Sequence, residues 1–174
     1  MKKKYMRFPA AFLIWVILVF LDQYTKYLAM TYLRPKGAID LIPGVLELRY
    51  LENRGAAFGI LQNRQWVFVI FAIACIIFCA WTGFRLAVSN RHAALRICLA
   101  ALCAGAAGNL IDRVARGYVI DFIYFSLIDF PVFNVADIYV TCSVFVLAFL
   151  ILFYYKEEDL QLTGKRANES PDGK

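Results

Sequence analysis

Apolar residues arrive in four long runs, spanning Phe8 to Leu33, Trp66 to Leu86, Ala93 to Ile111 and Ala136 to Tyr155, each closed by charges, Pro or Gly. A helix rises ~1.5 Å per residue, so about 18 to 20 such residues cross a hydrocarbon core of ~30 Å. The pattern predicts four transmembrane helices. Between the first two runs the period changes. After the Pro43-Gly44 turn, Leu46, Leu48 and Tyr50 alternate with Glu47 and Arg49, which predicts a strand. The next stretch, Asn53-Arg54-Gly55-Ala56-Ala57-Phe58-Gly59, is rich in small residues. It reads either as a loop entering the second helix or as backbone that approaches a ligand closely. Residues 159–174 are polar, contain Gly, Pro and Asn, and read as a disordered tail behind one domain of residues 1–158.

Composition supports the lipid reading. Of 174 residues, 61% are hydrophobic and 18% charged, against roughly 45–50% and about 25% in soluble domains. The net charge of +6 comes from basic residues scattered over short segments, which excludes a nucleic-acid face. All five cysteines lie inside apolar runs, so they read as small core hydrophobes without a disulfide framework. Cys75 and Cys79 share a helical face, but the single histidine, His92, is remote, and no metal site is expected.

Four spans put both termini on one side, and Lys2, Lys3, Lys4 and Arg7 assign that side to the cytoplasm. Eleven Lys and Arg then lie inside and eight elsewhere, including Lys26 within the first span. That first run continues through Asp22 and Lys26 without a small-residue cleavage pattern, so it is expected to remain as an anchor.

A charged side chain at mid-membrane costs at least ~2.5 kcal/mol, so every one here is a candidate for function. Asp22 and Lys26 are four apart and predict a paired couple on one helix face. Ala104, Gly105 and Gly108 predict close helix packing in the third span. That span breaks into Asn109-Leu110-Ile111-Asp112-Arg113, and an ion pair between Asp112 and Arg113 would hold its end. A loop of some twenty residues carries Asp121 between apolar neighbours, and Asp137 opens the fourth span. Asp112, Asp121 and Asp137 thus reach one depth near the outer face. Two carboxyls close together in a low dielectric cannot both ionise, which supplies an acid and a base in one site. Asp121 and Asp137 form the preferred pair. Asp129 reads as a loop acid, Ser126 and Ser143 as poor nucleophiles, and His92 falls on the cytoplasmic side.

At these residues the chain resembles the lipoprotein signal peptidases (signal peptidase II), aspartic proteases of bacterial membranes. The motifs are Asp22-Gln23-Tyr24-Thr25-Lys26, Asn53-Arg54-Gly55-Ala56-Ala57-Phe58, Gly108-Asn109-Leu110-Ile111-Asp112-Arg113, Val119-Ile120-Asp121-Phe122 and Phe133-Asn134-Val135-Ala136-Asp137. The resemblance runs from Leu21 to Tyr139. It implies an all-α membrane protein of four transmembrane helices with a small extracytoplasmic β-sheet cradle, around residues 38–58, between helices 1 and 2. It implies a catalytic dyad of Asp121 and Asp137, with Asp22, Lys26, Asn53, Gly55, Asn109, Arg113, Asn134 and Ala136 as supporting or substrate-contacting positions, and Asp112 as structural. It also implies a prolipoprotein substrate cut just before a diacylglyceryl-modified cysteine, no cofactor, and an enzyme of the bacterial cytoplasmic membrane surrounded by lipid. A monomer is expected. Two rival classes are a small transporter relaying protons through Asp22, Lys26 and Asp112, and a lipid-binding assembly protein with dispensable carboxylates. Clustering of the acids at one face, without an inverted repeat, disfavours the transporter.

Overall fold

The computed structural model describes residues 7–55, 64–86, 91–156 and 159. Helices long and apolar enough to cross a membrane span Ala10–Leu33, Gln65–Arg85, Ala93–Arg116 and Val135–Tyr154. In chain order α1 is Arg7–Leu28, continued by a π-helical turn over Ala29–Leu33. The others are α2, Gln65–Arg85, α3, Ala93–Arg116, and α4, Val135–Phe149, which ends in a second π-helical turn, Leu150–Tyr154. Large side chains such as Phe12, Phe20, Phe71, Phe84 and Phe145 point outward, as expected where the surrounding solvent is hydrocarbon rather than water.

α3 is the central helix, and α1, α2 and α4 all pack against it. Its small residues make that possible, because lipid gives no hydrophobic force between helices and close van der Waals contact must hold them. A Cβ at Gly105 would stand 2.5 Å from the Ala136 carbonyl oxygen and 2.8 Å from Val140 Cγ2. At Gly108 it would collide with the Asp22 carboxylate. Ala104, Gly105 and Gly108 therefore do what their spacing predicts.

One end of the bundle carries a three-stranded antiparallel sheet in the order β1 (Ala38–Ile42), β2 (Leu46–Asn53), β3 (Val119–Tyr124). The first two strands form a hairpin through Gly44, whose φ of 72° suits its turn. β3 pairs with β2 so that Leu51 faces Asp121 and Asn53 faces Val119. Ile120 and Phe122 then pack on Ala29 and Leu33 and fasten the sheet to α1.

The fold departs from the sequence pattern in two places. The segment carrying Asp121 is a strand and not a loop. Val119 to Phe122 are all buried, so apolar residues occupy both faces and the strand shows no alternation along the sequence. The third span does not break at Asn109 but runs on to Arg116. Its polar residues find partners inside the protein, and the helix stops only at Gly117, left-handed at φ 75°, whose N–H donates to the Arg113 carbonyl at 3.0 Å.

At the opposite end Cys75, Cys79, Cys98 and Cys103 join Leu95, Leu99 and Tyr155 in an apolar cluster, in keeping with core thiols. Cys142 is exposed instead. Arg91 holds Asp159 through two hydrogen bonds of 2.7 and 2.6 Å. The rest of the expected tail, and residues 56–63 of the small-residue segment, lie outside the described residues.

Candidate active site

Asp137 is the third residue of α4, and Asn134 caps that helix. The Asp137 N–H donates to Asn134 Oδ1 at 3.1 Å, and the Asn134 N–H donates back to Asp137 Oδ2 at 3.0 Å. This reciprocal capping box satisfies two N–H groups that a helix start leaves unpaired. The second oxygen of Asp137, Oδ1, accepts from Asn109 Nδ2 at 2.8 Å. Two N–H donors and the positive end of the α4 dipole thus surround a carboxylate.

Asp121 has a different setting. It is 1% exposed on β3, where Asn134 Nδ2 donates to its Oδ1 at 2.6 Å and Asn53 Nδ2 to its Oδ2 at 2.8 Å. The Gly55 N–H donates to Asn53 Oδ1 at 3.0 Å, which turns the Asn53 amide nitrogen toward the aspartate. Burial pushes the Asp121 carboxyl up to about 7, helped by the charge of Asp137 and opposed by the bonds from Asn53 and Asn134 and by the charge of Lys26. Desolvation disfavours the charged form, and a neighbouring carboxylate does so further.

Both carboxyl groups line one cavity of about 540 Å³. Its walls include Asn53 and Gly55 from the sheet side, Phe68 from α2, Arg113 from α3, Phe130 to Phe133 from the loop before α4, and Ile138, Thr141 and Cys142 from α4. The Arg113 guanidinium lies 4.9 Å from the centre of the Phe68 ring. Its Nη1 donates to the Asn109 carbonyl at 3.3 Å, while its buried Nε has no partner among the described residues. Two carboxyl groups in unlike settings and a cation therefore share one space. Among the described residues no group of three or more His, Cys, Asp or Glu side chains is placed to hold a metal ion.

Asp112 departs from its expected partner. It pairs with Arg116 at 2.6 Å and Lys26 at 2.9 Å, not with Arg113. Successive helical residues point about 100° apart, whereas residues 112 and 116 share a face. Arg113 is thereby directed to the cavity. Asp112 also accepts the Ile120 N–H at 3.3 Å, so it links the end of α3 to β3. The predicted couple of Asp22 and Lys26 is formed at 3.0 Å, and both are fully buried. Asp22 Oδ1 additionally accepts the Ala136 N–H at 3.0 Å and ties α1 to the start of α4. Of the three acids read as sharing a depth, Asp121 and Asp137 meet at the cavity, and Asp112 belongs to this packed ionic network.

A sequence model of signal peptidase (SPase) II matches residues 14–153 of the chain. The chain belongs to the signal peptidase II family. It is 43% identical over 144 residues to a lipoprotein signal peptidase of Caldanaerobacter subterraneus subsp. tengcongensis, covering 82% of this chain and 96% of that one. It is 43% identical over 136 residues to the lipoprotein signal peptidase of Brevibacillus brevis, covering 78% and 90% of the two chains. A solved structure described as a bacterial membrane enzyme, obtained by the in meso method at 2.3 Å, superposes with a TM-score of 0.73 at 32% identity, over 94% of this chain and 96% of that one. A second, at 1.9 Å, gives a TM-score of 0.74 at 34% identity, over 89% and 99%. The chain is thus a multi-pass membrane peptidase by family.

Several residues at the site of this peptidase were not singled out by sequence. Gln23 donates to Asp22 Oδ2 at 3.1 Å, to the Gly108 carbonyl at 3.1 Å and to Asp112 Oδ1 at 3.4 Å. Arg116 was detectable from its four-residue spacing to Asp112, and Thr141 from the same spacing to Asp137. Phe68 carried no local signal, because one more aromatic in an apolar run looks like any other.

Proposed function

We propose that the chain is an aspartic endopeptidase that removes the signal peptide of a prolipoprotein by hydrolysing the bond before a diacylglyceryl-modified cysteine. The observation that carries this reading is the unequal setting of two carboxyls on one cavity. Asp121 is driven by burial toward its protonated form. Asp137 accepts N–H donors at both oxygens.

Asp137 takes a proton from a water, whose oxygen bonds to the scissile carbonyl carbon. Asp121 gives its proton to the carbonyl oxygen, forming a neutral diol. A diol hydroxyl then returns a proton to Asp121 as the carbon–nitrogen bond breaks. The leaving nitrogen receives the proton that Asp137 had taken. One water is consumed, and the pair returns to its starting protonation.

The topology that fits puts both termini in the cytoplasm and the sheet and cavity near the outer face, as the amino-terminal lysines favour. Acyl chains on the substrate cysteine would hold the scissile bond at the depth of the aspartates, so binding energy supplies position. Asn53, Gly55 and Arg113 line the same cavity and are the assigned substrate-contacting groups. Asp22, Lys26, Asn109, Asp112, Asn134 and Ala136 support the pair. The working unit is one copy of the chain.

The test offers the purified protein one precursor peptide with and without diacylglycerol on its cysteine. Cleavage confined to the lipidated form supports the reading. Equal cleavage of both removes the lipid requirement, and cleavage of neither removes the assigned substrate.

A further inference from the structure

Lys26 is fully buried and makes three short contacts: Asp22 Oδ2 at 3.0 Å, Asp112 Oδ2 at 2.9 Å and Asn109 Oδ1 at 2.9 Å. Two carboxylates already balance one ammonium, with Arg116 adding a second cation beside Asp112. The third contact serves something other than charge balance. An ammonium only donates, so it accepts only the oxygen end of an amide beside it. Asn134 Nδ2 donates to that same oxygen at 3.1 Å. The Asn109 nitrogen must then face the other way, where it meets Asp137 Oδ1 at 2.8 Å. Turned over, the amide would set an NH2 group against the ammonium and a carbonyl oxygen against a carboxylate.

We propose that Lys26 is a positioning residue: it fixes the sense of the Asn109 amide, so that Asp137 always meets an N–H donor and remains the proton acceptor of the pair. Lys26 touches no substrate and transfers no proton. This rests on the dyad reading above. Without Lys26 the Asn109 oxygen keeps only the longer bond from Asn134 Nδ2, and the loosened amide can turn its carbonyl to an Asp137 that holds a proton and cannot act as base. Among the described residues the other charged groups facing Asp137 are Asp121 from β3 and Arg113 from α3, and α2 brings the uncharged Phe68 to the cavity.

The test compares Lys26→Met, and the charge-compensated double variant Lys26→Met with Asp22→Asn, against the parent in cleavage of a diacylglyceryl precursor peptide. Folding is checked by melting in detergent. For a folded variant kcat should fall about tenfold or more with KM within about twofold, and the acid limb of the rate profile should move up by about one pH unit or more, the effect expected of one lost hydrogen bond to a carboxylate. Asn109→Ala, which leaves all the buried charges in place, should reproduce the same split. A folded Lys26 variant with the parent's kcat and acid limb overturns the inference, and so does failure of both Lys26 variants to fold, since Lys26 would then be a folding residue only. Asp121→Asn in the same assay separates this from the dyad itself. If Asp121→Asn still cleaves, the dyad reading fails whatever Lys26 does.

Discussion

The Asn134 side-chain amide donates to Asp121 at 2.6 Å, and the carbonyl of the same side chain caps the helix that carries Asp137. One asparagine therefore sets both the start of α4 and the environment of the buried acid. Replacing it with Ala removes an N-cap, at ~1 kcal/mol, and leaves a buried carboxyl group without one of its donors, at ~1–3 kcal/mol. Asn134→Ala should lower unfolding stability by about 2 to 4 kcal/mol and suppress cleavage. Denaturant titration in detergent checks the first, and a loss under about 0.5 kcal/mol would show that the cap is replaceable.

Close approach at Gly108 yields a second prediction. A methyl group there meets the Asp22 carboxylate, which is itself bound to Lys26 and to the Ala136 N–H and cannot retreat. Gly108→Ala should destabilise by about 1 to 3 kcal/mol. Gly83→Ala, on α2 with open space around the added carbon, should be neutral or stabilising by up to about 1 kcal/mol, since Ala is the better helix former. Thermal melts of the two variants side by side decide it.

The buried ionic network should respond unequally to its members. Asp112→Asn removes a charge from both Lys26 and Arg116 and leaves the Ile120 N–H with a weaker acceptor. Breaking a buried pair by deleting one partner costs roughly 3–5 kcal/mol. Arg116→Gln should cost much less, because Arg116 is 29% exposed and Lys26 still neutralises Asp112. Equal losses in the two variants would contradict this ranking.

Much of this arrangement is legible in the sequence, for identifiable reasons. Four spans follow from run length, and the Asp22 and Lys26 pair from a spacing of four. β3 is hidden because Val119 to Phe122 are buried on both faces, which erases the alternation that reveals β2. The end of α3 is misread because Asp112 and Arg113 look like an exit from lipid. Their partners, Lys26 and the cavity, come from elements distant in the chain. Adjacent charges also invite pairing on paper, although a helix points them apart.

The pH dependence follows from Asp121. Its carboxyl is raised from an ordinary 3.8 to about 7, so the folded protein binds this proton more tightly than the unfolded chain does. The stability it contributes is therefore fully present below about pH 4 and is lost as pH rises through about 7. In the proposed mechanism cleavage needs the same proton, so kcat/KM should fall above about pH 7. A rate profile with its alkaline limb near 7 agrees. A flat profile to pH 9 would mean that Asp121 is not the acid.

Hydrolysis by Asp121 and Asp137 acting together, as proposed, is put to the test by substituting each with Asn in the purified enzyme. Cleavage of a diacylglyceryl precursor peptide is then measured beside a melting curve. Each variant should remain a folded membrane protein and lose cleavage by about a thousandfold or more, as expected when an acid or a base is removed. Cleavage within about tenfold of the parent by either folded variant would contradict it.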